Sequence, residues 1–302
     1  KKFDAFNCEE SLHKEIKQEL LKRIYKPIYI PLSGGLDSRL ILTKLCEKKI
    51  KNINCFSYGL KNNADALVAK KICEHLEVKW NFFEFNKPEF RTLYFSKFKE
   101  QYDKYSDHFS ILPNYQDIFF LKDMQKNNFF KKNAYIINGQ SGDFNSGMHI
   151  PDSLYYLDQN SSNKNKELLI SAIISKHFNL STPAKDMPKV NFKDSLKFSL
   201  EKNKDSLFSD IYECWEYEER QCKYVINGQR AYEYLDLDWY LPLWHSDFVK
   251  FWTTVPLNYR FKQNLYRSYL RKWNYKNLFE TLNKPVTAFT GYQENIVKLL
   301  SF

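Results

Sequence analysis

The chain has 302 residues, 43% hydrophobic and 17% aromatic, enough to bury a large core and consistent by length with roughly two domains. It carries no apolar run near the roughly 18 residues of a membrane helix and no signal peptide, and its six cysteines show no Cys-x-x-Cys pair and no histidine partner at zinc spacing. The composition therefore excludes a membrane span and a zinc or disulfide scaffold, and fits reduced thiols in the cytoplasm; the formal charge of +10 is spread along the chain, with short clusters such as Lys44–Lys51 and Lys164–Lys166, and reads as a solvated surface that names no partner.

From residue 10 the pattern alternates. A helix spans Leu12 to Tyr25, and the apolar run Ile28–Leu32 reads as a strand. Ser33-Gly34-Gly35-Leu36-Asp37-Ser38 follows directly, ahead of the helix-like stretch Arg39–Lys48. A strand, a glycine turn and a helix N-terminus in succession make a place for phosphates. The glycines let the backbone turn sharply and approach an anion, the turn points its N–H groups outward, and the helix adds its positive end. Ser33 and Ser38 can donate to phosphate oxygens, and Asp37 is placed to hold a magnesium ion against them. Neither Gly-x-x-x-x-Gly-Lys followed by Ser or Thr nor Gly-x-Gly-x-x-Gly occurs in the chain, so the expectation is an ATP-using enzyme outside the Walker and dinucleotide classes.

The strand Ile53–Tyr58, a helix from about Ala64 to His75 and the strand Lys79–Phe85 continue the alternation, and Ala134–Asn138 adds a later strand. This order predicts an α/β fold with a doubly wound parallel sheet of the five-stranded type, whose ligands bind at the carboxyl ends of the strands. Ala134–Asn138 runs into Asn138-Gly139-Gln140-Ser141-Gly142-Asp143, with Asn145, Gly147 and His149 following. If it neighbours the first strand, Gly139 and Asp143 reach the crevice of Ser33 and Asp37, and two carboxylates make an oxygen-rich site for one magnesium. Ser153–Asn165 is polar and rich in Ser and Asn, and reads as a mobile loop or lid boundary. From Asp194 onward helical spacing and aromatics dominate, so a mainly helical, substrate-binding half over 151–302 is expected beside an ATP-binding core over 1–150. Within that half Arg220, Arg230 and Lys262 are candidates to bind an anionic substrate. Lys284, in the Pro- and Gly-bounded loop Leu282–Tyr292, can neutralise charge on departing pyrophosphate.

Ser33–Ser38 resembles the SGGxDS signature of the PP-loop ATP pyrophosphatases, which cleave ATP between the α and β phosphates. Over roughly residues 10–295 the chain resembles the synthetase domain of asparagine synthetase and its relatives, which include β-lactam synthetase and lasso-peptide cyclases. The resemblance rests on the hexapeptide, on Phe56-Ser57-Tyr58-Gly59, on Asn138–Asp143, on Leu241-Pro242-Leu243-Trp244, and on Lys284 with the Phe289–Tyr292 turn. It implies the PP-loop type of adenine nucleotide α-hydrolase-like (HUP) fold, with an added C-terminal helical region. It implies ATP and Mg2+ as cofactors: Leu32, Ser33, Gly34, Gly35, Asp37, Ser38, Asn138, Gly139 and Lys284 bind the nucleotide, Phe56, Ser57 and Tyr58 line the adenine, and Asp37 and Asp143 hold the metal. Asp37, Gln140, Asp143 and Lys284 are the catalytic set that it implies.

Three positions depart from the family pattern. Gln140 stands where the family has a Glu thought to deprotonate the incoming amine, Phe144 where it is acidic, and His245 where Asp follows the Pro-Phe-Leu run. A neutral amide is too weak a base for that work, so aspartate is not the expected substrate, and His149 or Tyr58 are the alternatives for the proton. The N-terminal glutaminase domain of the family, with its Cys nucleophile, is expected to be absent, since the chain starts at Lys1 and its first cysteine is Cys8. Ammonia would then come freely or from a separate glutaminase. Asn138–Phe144, Ser146–Pro151 and Arg39 look most like members associated with surface polysaccharide synthesis, which implies a uronic acid as the carboxylate. The expected reaction is adenylation of a small carboxylate followed by attack of ammonia or an amine. Nucleic acid is not an expected partner; a transfer-RNA-modifying enzyme, a non-catalytic nucleotide-binding relative and a ring-forming ligase are the rival readings.

Overall fold

The computed structural model describes residues 26–107, 115–159, 166–177 and 206–280. The helix expected over Leu12–Tyr25 and the loop of Lys284 lie outside the described residues. In chain order the elements are β1 (Ile28–Pro31), α1 (Leu36–Glu47), β2 (Ile53–Gly59), α2 (Ala64–Leu76), β3 (Lys79–Glu84), α3 (Lys87–Tyr94), α4 (Lys97–Ser106), α5 (Tyr115–Lys126) and β4 (Tyr135–Ile137). There follow α6 (Gly142–Asn145), α7 (Asp152–Gln159), α8 (Lys166–His177), α9 (Phe208–Glu216), a π-helical segment (Tyr217–Ile226), α10 (Arg230–Tyr234), β5 (Asp238–Tyr240), α11 (Ser246–Thr254), α12 (Leu257–Arg260) and α13 (Asn264–Trp273).

The five strands form one sheet in the order β3-β2-β1-β4-β5, with every neighbouring pair parallel. Its order reverses between β1 and β4, so the crevice at their carboxyl ends is the switch point at which such sheets bind ligands. A parallel sheet covered on both faces calls for strands that are apolar throughout, and β1 (Ile-Tyr-Ile-Pro) and β4 (Tyr-Ile-Ile) meet that demand. Alternate residues then feed two cores. Ile28, Ile30, Tyr135 and Ile137 pack with α1, α2 and the helices from Phe248 onward. Tyr29, Phe56 and Ile136 pack on the other face with α3 to α5 and α10.

Two features differ from the expectation. The fifth strand comes from Asp238–Tyr240, so the sheet draws its edge from the half of the chain expected to be mainly helical. The polar stretch expected to be a mobile loop or lid boundary opens as helix α7: Leu154 is fully buried against α8 and α9, and Asp158 accepts from the backbone N–H groups of Phe208 and Ser209 at 2.9 Å each. α9 has no side-chain cap from its own N-cap residue, and the α7 carboxylate takes that part. The remainder of the stretch, 160–165, lies outside the described residues. Among the described residues no helix is long and apolar enough to cross a membrane.

Candidate active site

The hexapeptide turn leaves β1 and enters α1 with Gly35 at the N-cap and no side chain capping it, so the first-turn N–H groups are not taken by a cap. Ser38 Oγ accepts from Ser33 N at 3.2 Å and lies 3.4 Å from Ser33 Oγ, so the two hydroxyls meet across the turn. Neither Gly34 nor Gly35 has a positive φ; Gly34 is glycine for want of space, because a Cβ there would sit 2.8 Å from Asp65 Oδ1. Gly34 is not among the residues that line the crevice, and its carbonyl accepts from Arg39 Nη2 at 2.7 Å. Of the turn's expected nucleotide contacts, Leu32, Ser33, Gly35, Asp37 and Ser38 line the crevice, and Gly34 supports it from behind.

The tip of β4 comes down directly on this turn. A Cβ on Gly139 would lie 2.6 Å from Ser38 N, and one on Gly142 would lie 2.6 Å from Asp37 Cγ, so both positions exclude a side chain. Asp143 N donates to Asp37 Oδ2 at 3.0 Å, and Tyr266 of α13 donates its hydroxyl to Asp37 Oδ1 at 2.8 Å. The two aspartates expected about a hundred positions apart thus share one site. Burial, and then the neighbouring Asp143 carboxylate, push Asp37 up to about 7. For Asp143 burial is the largest influence and acts upward, but the bond and charge of His149, the Phe144 N–H and the Lys176 charge together outweigh it and hold the carboxyl below its usual range. His149 Nε2 lies 3.0 Å from Asp143 Oδ2 and Nδ1 lies 2.5 Å from Glu216 Oε1; despite burial, these two carboxylates raise the imidazole to about 9.

The crevice has a volume of about 710 Å3. Phe56, Ser57 and Tyr58 from β2 form one wall of it. Ser57 Oγ donates to Leu32 O at 2.7 Å, which ties that wall to the turn. Tyr58 donates to Asp117 Oδ1 at 2.6 Å, and burial pushes its phenol well above the usual range, so it is not available as a base. A further wall carries the neutral amides of Asn138, Gln140 and Gln221 beside the charged Asp143, His149 and Arg220. Gln140 Oε1 accepts from Gln229 Nε2, and Asn138 Nδ2 reaches Tyr232 Oη at 3.3 Å. Ser141 sits in the left-handed region at φ 69° and donates to Gln221 Oε1 at 2.9 Å. Gln221 belongs to the ten-residue π-helix continuing α9, a rare winding that is frequent at functional sites.

The three cations proposed for an anionic substrate separate clearly. Arg220 lines the crevice. Arg230 donates to Tyr105 O at 2.7 Å and lies over that ring, and Lys262 pairs with Asp152 at 2.7 Å on an exposed surface. Lys284 lies outside the described residues. Sequence reading passed over Tyr266, Glu216, Gln221 and Gln229, none of which stands in a motif.

Asp37 and Asp143 fit a magnesium ion. The Asp143 N–H holds Asp37 Oδ2 and the Asp143 charge raises the Asp37 carboxyl, so the two carboxylates lie side by side, and among the described residues no group of three or more His, Cys, Asp or Glu is arranged to hold a metal ion. Magnesium bound through one or two carboxylates, with phosphates and water completing its shell, needs no more.

No curated protein matches the chain. Among solved structures, a U34-tRNA thiolase, NcsA, from Methanococcus maripaludis with its 4Fe–4S cluster aligns over 80% of this chain and 82% of its own at 15% identity, with a TM-score of 0.29. The family model described as asparagine synthase matches residues 23–278, which take in the hexapeptide turn, the β4 tip and the amide wall. The chain belongs to the asparagine synthase family.

Proposed function

We propose that this chain is an ATP-dependent ligase that adenylates a carboxylate and then joins it to ammonia or an amine. The observation that carries the reading is the meeting of Asp37 and Asp143, from two adjacent strand tips, over two hydroxyls and a helix N-terminus that no side chain caps. ATP lies with its base against Phe56–Tyr58 and its β and γ phosphates against Ser33, Gly35 and Ser38. A substrate carboxylate oxygen attacks the α-phosphorus in line; the new O–P bond forms as the bond to pyrophosphate breaks, with Lys284 as countercharge. The amine then attacks the acyl carbon, the bond to the AMP phosphate breaks and the departing phosphate takes the amine's surplus proton, giving the amide and AMP. Magnesium, held by Asp37 and Asp143, would neutralise charge on the phosphates and keep them in line.

Gln140 accepts a hydrogen bond from Gln229 and cannot take a proton from the amine. The neutral amides on that wall suit a polyhydroxylated acid, and a uronic acid is the substrate we propose, with the reaction serving surface polysaccharide synthesis.

The test is ATP–pyrophosphate exchange across a panel containing D-glucuronate, D-galacturonate, aspartate and glutamate. Exchange that depends on one of the carboxylates and on magnesium is expected, and Asp37→Asn should lower it by about 100-fold or more while the thermal melt stays near that of the unaltered chain. Exchange without any carboxylate, or near-normal exchange in that variant, would sink the assignment.

A further inference from the structure

The hexapeptide turn accounts for the phosphates but leaves open what holds the acid that attacks them. Among the described residues lining the crevice, Arg220 is the one Lys or Arg, and it stands on the Asp143 side rather than the Ser33 side. Its Nε is 4.0 Å from Glu216 Oε1, and its two terminal amino groups make no hydrogen bond with any described residue. Glu216 is fully buried, and its Oε1 also faces His149 at 2.5 Å and Lys176 Nζ at 4.0 Å. Lys176 and Arg220 stand against Glu216 and Asp143 on this wall, so the charges balance two against two, and what remains is the pair of terminal amino groups of Arg220 facing the crevice. A substrate carboxylate is the group that such a pair of donors fits.

The backbone has been shaped for this placement. Tyr217–Ile226 depart from the α winding of α9 for ten residues of π-helix, and that segment brings Arg220, Gln221 and Val225 together on the crevice wall. Gln221 locks the segment to Ser141 on the β4 tip, while Glu216, at the end of α9, connects Arg220 through His149 to Asp143. The contacts run unbroken from the guanidinium to the carboxylate that holds the metal.

We infer that Arg220 anchors the carboxylate that is activated, and that Glu216 is the buried positioning residue that aims it. The anchor rests on the ligase reading above. A guanidinium offers two parallel N–H donors to a carboxylate, which orients it as well as attracting it, where an ammonium would attract without orienting.

The experiment is steady-state ATP–pyrophosphate exchange with the best carboxylate of the same panel. Arg220→Met should raise KM for the carboxylate by about 30-fold and leave KM for ATP within about twofold, as expected when one partner of a desolvated charge pair is removed. Arg220→Lys should fall between, methylguanidinium should restore Arg220→Gly, and Glu216→Gln should raise the same KM by a smaller factor. A KM for ATP that rises as much as that for the carboxylate would put Arg220 on the α-phosphate instead, and an unchanged KM for the acid would show that it binds nothing; either result overturns the anchor and leaves the ligase reading standing. No carboxylate-dependent exchange in the unaltered chain would remove that reading and the anchor together.

Discussion

At the scale of single residues, the site depends as much on side chains that are missing as on those present. Gly139 is glycine because Ser38 N and the Asp37 carbonyl carbon would lie 2.6 and 2.9 Å from any Cβ, while its own φ is not positive. Gly139→Ala must therefore push the β4 tip off the turn, and should cost about 1–3 kcal/mol as an overpacked contact. Since the contact joins the two aspartates, magnesium dependence should shift to higher concentration in the same variant. Titration of exchange activity with magnesium checks this, and an unshifted curve would show that the strand tips can part without harm to the metal. The hexapeptide and Asp143 were legible because their signal is local, a glycine turn beside a hydroxyl or an acid. Tyr266 was not. It bonds Asp37 from 229 positions away, and nothing in its neighbourhood sets it apart from the other 20 tyrosines of the chain.

Among the elements, α1 does more than present its N-terminus to the crevice. Arg39 is 1% exposed and donates to Gly34 O at 2.7 Å and to Leu278 O at 2.8 Å, so one buried guanidinium ties the back of the turn to the chain after α13. One turn further on, Lys44 lies 3.5 Å from the ring centre of Trp273 at the end of α13. Arg39→Met would leave two carbonyls without their donor and should cost about 3 kcal/mol, read by urea unfolding. Arg39→Lys should lose less, and an unchanged midpoint in both variants would mean that water takes the donor's place. The alternation of strand and helix through β3, and the later β4, could be read from periodicity because each strand is apolar or bounded by turn residues. β5 could not: three residues, Asp-Trp-Tyr, are too few to show a period, and only pairing with β4 makes them a strand. Over 153–159 the loop reading failed for a related reason, since the Ser and Asn content outweighed Leu154 and Asp158, whose roles appear only when α8 and α9 pack against them.

For the whole molecule, the three larger cores divide the work. The two on the faces of the sheet set the strand tips and hence the nucleotide side of the crevice. The third, built from α7, α8 and α9 around Leu154, Ile170, Tyr212 and Trp215, carries Lys176 and Glu216 and leads into the π-helix with Arg220. The walls to which we assign the nucleotide and the acceptor therefore rest on different packing. Trp215→Ala should cost about 3–5 kcal/mol within the third core, as large aromatic truncations do. Because Trp215 belongs to neither sheet-face core, magnesium–ATP affinity should stay within about twofold, while KM for the carboxylate rises with the displaced wall. Binding of ATP followed by fluorescence or calorimetry, beside exchange kinetics, separates the two effects. Loss of nucleotide binding in step with the carboxylate would mean that the cores melt as one unit, and that the acceptor wall cannot vary without the ATP site changing too.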